Sequence, residues 1–231
     1  MTLTLDTRAP IVVLVAQFNP AIFQPAWIAR HLFDKAEGED MQFLEMIAQN
    51  GQRVIQLSFF EGVAFLVTPD RTDIFAVDAR PETFANVENV LLKMLSVLPH
   101  TPVMAIGCNL NYVDDNPNSM VEDLFETREA LEGEGKLNLR QSGVQLQMDG
   151  PEVLNFNRIM TEQNVSFNFN YHRPEPDISR YGDFVPGMIQ RALDHSQSIL
   201  KSYYGYEAFE AVGFLAEAKL EEGANVVEST N

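Results

Sequence analysis

Residues 165–172, Val-Ser-Phe-Asn-Phe-Asn-Tyr-His, alternate strictly between large apolar and polar side chains. Successive strand side chains point to opposite faces. Val165, Phe167, Phe169 and Tyr171 therefore share one face, and Ser166, Asn168, Asn170 and His172 share the other. Leaving the four apolar groups in water would cost roughly 1.5–3 kcal/mol each, so a second layer must cover them. Residues 108–112, Cys-Asn-Leu-Asn-Tyr, repeat the Asn-x-Asn-Tyr order, with Leu110 and Tyr112 inward.

The rest of the chain reads as strands and helices around this pair. A valine-rich run at 11–18 predicts a strand buried on both faces, ended by Asn19-Pro20. A helix is expected over 22–33 and a shorter one over 41–49, closed by Asn50-Gly51. Strands at 53–59, 63–67 and 73–77 form a meander with turns at Glu61-Gly62 and Pro69-Asp70. From Pro81 to Leu98, Phe84, Val87, Val90, Leu91, Met94 and Leu95 make a wide helical stripe that needs a sheet face to cover.

A strand at 103–112 then begins a second series. Residues 114–134 read as a helix with an acidic outer face, followed by strands at 136–140, 144–148, 153–160 and 165–172. Gly143-Val144 resembles the Gly62-Val63 hairpin, and Asp149-Gly150 is a hairpin turn. Asp183 is placed to cap a long helix over 184–204, Gly205 breaks it, a weaker helix covers 206–220, and 221–231 is a polar, disordered tail.

The expected fold is α+β, a largely antiparallel sheet or pair of sheets built from two meander-plus-helix units. The long helices pack on one face. The halves are 1–100 and 101–205, followed by an acidic C-terminal helix and tail at 206–231. Both halves run strand, helix, meander, long helix, which an internal duplication would produce; that such units are common is the other explanation.

The charge balance narrows function. With 33 acidic and 16 basic residues, net charge −17, the chain repels phosphate backbones, so no direct nucleic-acid partner is expected. The same charge leaves room for a protein partner of basic character. Cys108, the single cysteine, reads as a buried structural thiol. The first residues lack a signal-peptide pattern and no apolar run reaches membrane-spanning length, so a cytoplasmic protein without membrane contact is expected.

No His-Glu-x-x-His, Gly-x-Ser-x-Gly, phosphate-loop or Gly-x-Gly-x-x-Gly motif occurs, and His31, His100, His172 and His195 share no metal-ligand spacing. No catalytic residue, metal or cofactor is assigned. The candidate binding residues are Asn109, Asn111, Asn168, Asn170 and His172. On neighbouring strands they would form a ladder of carboxamides, although asparagine is also tolerated on a solvated sheet face. The reading is a non-catalytic binding or assembly module that captures a protein or polar ligand there. Edge strands of an open sheet also invite pairing with a second copy.

Two alternatives remain. One is an enzyme whose site is assembled from His172, Asp114 and Asp115. The other is an acidic decoy that inhibits a nucleic-acid-binding protein, using residues 114–134 and the C-terminal glutamates Glu207, Glu210, Glu217, Glu221, Glu222 and Glu228.

The segment from Phe167 to Tyr204 has an Asn-x-Asn-Tyr strand, then a helix with Phe184, Met188, Ala192 and Ser196 that ends near Tyr203. It resembles the closing part of a family of sporadically distributed, uncharacterised prokaryotic proteins. The resemblance covers about a fifth of the chain. It implies an α+β fold and a prokaryotic or phage-like setting, and carries over no functional residue.

Overall fold

A long central strand, Val103–Asp114, holds both halves of the molecule together. In the computed structural model the described residues are 2–36, 42–47, 54–117, 121, 123–125 and 140–213, with backbone course alone for 42–47 and 54–60. The strands are β1 (Thr2–Asp6), β2 (Val12–Ala16), β3 (Gln42–Ile47), β4 (Val54–Phe60), β5 (Val63–Val67) and β6 (Arg71–Ala76). They continue with β7 (Val103–Asp114), β8 (Gln141–Gln147), β9 (Val153–Met160), β10 (Val165–Pro174) and β11 (Ala208–Val212). The helices are α1 (Pro25–Leu32), α2 (Pro81–Val97), α3 (Tyr181–Phe184) and α4 (Met188–Tyr204).

All eleven strands join one sheet, in the order β3-β4-β5-β6-β2-β7-β10-β9-β8. β1 lies on the far end of the β7 edge that β2 uses, and β11 adds to β1 in parallel. All other pairings are antiparallel, so the fold is α+β with a largely antiparallel sheet. The layout repeats about the central β2·β7 pair. Each half starts with a central strand, jumps to the outside, and returns by a meander whose last strand lies beside the first.

β10 follows the alternation of its sequence. Phe167 and Phe169 are buried while Ser166, Asn168 and Asn170 are half-buried. Phe156 stacks on Phe169 at 4.4 Å, and Tyr204 meets Phe167 edge-on at 5.0 Å. α4 lies on this face: the Tyr112 hydroxyl hydrogen-bonds Ser196 Oγ at 2.9 Å. Both groups are buried, and burial raises the Tyr112 hydroxyl to about 12 despite the Ser196 contact. α2 packs beside α4 on the same face, with Val87, Leu91 and Met94 buried. Cys108 is buried, and burial first, then nearby acidic groups, pushes its thiol well above its ordinary value.

Five local expectations are corrected. Residues 42–47 form a strand, not part of a helix. Residues 208–212 form β11, because pairing to β1 satisfies their backbone where a lone acidic helix would have little to pack against. Gly143 lies inside β8, paired with Asn157, rather than at a hairpin. The expected 184–204 helix is two pieces, divided where Gly187 takes left-handed geometry, φ 73°. Asp183 does not cap α4, since it lies in α3.

β1 went unassigned in the sequence although Thr2–Asp6 alternates with Leu3 and Leu5 buried. Most of the expected acidic helix at 114–134, the strand at 136–140 and the segment 214–231 lie outside the described residues. Within them, Asp114 ends β7 and Asp123–Phe125 is a short 3-10 turn.

Candidate functional site: an amide face and an adjoining cleft

β7 and β10 are neighbours, and their register sets Asn168 opposite Asn111 and Asn170 opposite Asn109. β9 extends both rows, with Asn157 beside Asn168 and Asn155 beside Asn170, and β8 brings Gly143 and Gln145 to their ends. The asparagines of β7 and β10 stand among the expected binding residues, and those of β9 do not. Asn155 and Asn157 carry the same alternating signal, flanking Phe156.

The row through Asn170 is a directed relay. Gln145 Nε2 donates to Asn155 Oδ1 at 2.9 Å, Asn155 Nδ2 to Asn170 Oδ1 at 3.0 Å, and Asn170 Nδ2 to Asn109 Oδ1 at 2.6 Å. Asn109 Nδ2 then donates to the Pro10 carbonyl at 3.4 Å. Every amide dipole points the same way, and each bond polarises the next. Gly107 lets the relay lie flat: a Cβ there would come within 3.1 Å of Asn170 Nδ2.

The second row is not closed. Asn157 and Asn168 form no side-chain hydrogen bond among the described residues. Asn111 Oδ1 is buried without a donor. Asn157 leans over the edge strand, where a Cβ on Gly143 would fall 2.4 Å from its Oδ1. An amide has two donors and a two-lone-pair acceptor, so this row keeps most of its hydrogen-bonding capacity.

His172 belongs to neither row. It lies opposite Gly107 and Val153, one pair beyond the relay. The remaining paired positions on this face of β7 to β10 are Ala105, Val113, Val153, Ile159, Ser166, Pro174, Gln141 and Gln147. None is charged, although the chain as a whole carries −17.

The dispersed His/Asp arrangement is not formed. Asp114 pairs with Val165 and His172 with Gly107, seven residues apart, about 23 Å along the strand. Asp114 is buried, accepting from the Tyr206 hydroxyl at 2.6 Å and the Asn116 N–H at 2.9 Å. Burial and this carboxylate push the Tyr206 hydroxyl upward, so it remains a donor.

The helix side of the same strands holds a cleft of about 530 Å³ between β7, β10 and the β8–β9 turn below and α3 and α4 above. Ile106, Met148, Phe184 and Met188 supply apolar walls, and Glu152, Arg173, Arg191 and His195 supply polar groups. Tyr171 OH and His195 Nδ1 are 3.0 Å apart, and burial keeps the Tyr171 proton on. This cleft was not foreseen. Its one sequence signal is Arg173, which continues the inward face of β10 two residues after Tyr171. Among the described residues no three His, Cys, Asp or Glu side chains are grouped to hold a metal, and no helix is long and apolar enough to cross a membrane.

No family model matches this chain, and no curated protein matches it.

Proposed function

We propose that the protein is a non-catalytic binding module whose amide face captures a neutral hydrogen-bonding surface, such as an extended peptide segment. The open Asn157–Asn168–Asn111 row carries this reading, because the unused amides of Asn157 and Asn168 keep hydrogen-bonding capacity that an outside partner can take up. The neighbouring relay fixes the strands rigidly, so the open row is held ready at little entropic cost. β8 supports assembly at the same place. It ends the strand order and carries no charge, and its backbone groups at Gly143 and Gln145 point away from β9.

On β7 to β10 the face has no ionised group, so binding there should change little with salt, whereas an acidic decoy would release its partner as salt rises. The test is capture by the wild type and by the Asn157→Ala/Asn168→Ala double variant, at low and high salt. Salt-insensitive capture lost in the variant, with unchanged melting temperature, supports the reading. Equal capture by both proteins overturns it, and capture that disappears with salt favours the decoy.

A further inference from the structure

Arg173 is 16 % exposed, yet none of its donors makes a hydrogen bond among the described residues, and its Nε is buried with no partner. Its one close anion there is Glu175 Oε2 at 3.8 Å, too long for a hydrogen bond, and Arg180 approaches that oxygen more closely, at 3.3 Å. The guanidinium carbon lies over the Phe184 ring, 3.9 Å from its centre, which places the group in the wall of the cleft. Buried guanidinium groups are normally satisfied on several sides. This one is not.

Glu152 faces the same cleft. The β9·β10 register, continued one pair past Val153 and His172, places Glu152 directly across from Arg173. Cross-strand neighbours of opposite charge are well placed to pair, but no ion pair joins them, and the Glu152 carboxylate has no hydrogen-bond or ionic partner among the described residues. Arg191 does not neutralise it, since its Nη groups donate to the Pro186 carbonyl at 2.7 Å and to the Phe184 carbonyl. A guanidinium whose donors make no hydrogen bond among the described residues and an unpaired carboxylate therefore stand side by side, with apolar surface from Ile106, Met148 and Met188 next to them.

We propose that this cleft binds a free α-amino acid with a large apolar side chain. Its carboxylate would lie on Arg173, its ammonium on Glu152, and its side chain against the methionines. Asp149 and Asp183 at the rim add negative charge, which disfavours a polyanionic phosphate ligand. A cleft of this volume accommodates a ligand of that size. The site lies on the opposite side of β10 from the amide face and stands or falls independently of it.

Calorimetry on the full chain would use L-phenylalanine, N-acetyl-L-phenylalanine, L-phenylalaninamide and inorganic phosphate. The expected result is binding of the free amino acid, with each blocked derivative at least tenfold weaker. Arg173→Met should abolish binding while leaving the melting temperature unchanged or higher, because it removes an unsatisfied buried charge. Glu152→Gln should lower affinity for the free amino acid while narrowing its advantage over the N-acetyl form. The proposal is overturned if no titrant binds at millimolar concentration, if the amide binds as well as the free acid, or if phosphate binds as tightly as phenylalanine.

Discussion

Glu88 in α2 caps the start of α4 through Ile189: its Oε1 accepts the Ile189 N–H at 2.8 Å, while Oε2 accepts that of Gly187 at 2.6 Å. The first N–H groups of a helix have no partner within it, and a carboxylate there also meets the positive end of the helix dipole. Glu88 is itself buried, so α2 and α4 are locked together by a charge that needs those two donors. Glu88→Ala should lose about 2–3 kcal/mol in denaturant unfolding, and Glu88→Gln less, because a neutral oxygen still accepts one bond.

The two amide rows should respond differently to truncation. Asn170→Ala breaks two bonds of the relay and leaves Asn155 and Asn109 short of partners, so it should destabilise by about 1–3 kcal/mol. Asn168→Ala, in the open row, should change unfolding by no more than about 0.5 kcal/mol. Equal costs would mean that the second row is also structural.

Asp73 and Asp78 should give pH dependences of opposite sign. Burial lifts the Asp73 carboxyl above its ordinary 3.8, with Arg71 at 3.1 Å opposing, and Asp73 Oδ1 has no donor. The folded protein then holds this proton more tightly than the unfolded chain, so stability falls as pH rises from 3.8 through the raised value. Asp73→Asn should therefore stabilise by about 1 kcal/mol at neutral pH and lose that gain in acid.

For Asp78, burial acts upward but the Thr83 hydroxyl, the Arg80 N–H and the Arg80 guanidinium outweigh it and hold the carboxyl below 3.8. Its contribution is present above 3.8 and disappears as pH drops through the lowered value. Asp78→Asn should lower the melting temperature at pH 7, with the difference closing in strong acid.

Tyr206→Phe removes the hydroxyl that reaches Asp114 and leaves one oxygen of a buried carboxylate unpaired. A loss of about 1–3 kcal/mol is expected in urea unfolding. Hydrogen exchange should accelerate first in β1 and β11, which join the sheet at that end of β7.

Alternation and helical stripes were enough to place β10, β7 and α2 with their inward faces. Valine, phenylalanine and leucine at fixed periods can be buried in one way, whatever the neighbours. The amide face followed as the other side of the same alternation, so Asn109, Asn111, Asn168 and Asn170 were readable in advance. Residues 42–47 and 208–212 were misread because short segments take the structure that a partner strand offers, and no local signal names that partner.

The chain's own order of residues decided which side chains share a strand face. The tertiary structure decided the register, and with it which amides close on each other and which stay open. It also brought Glu152, Arg173 and α4 around one cleft. Those choices depend on contacts between segments far apart in the chain, where a shift of one residue would reverse every face.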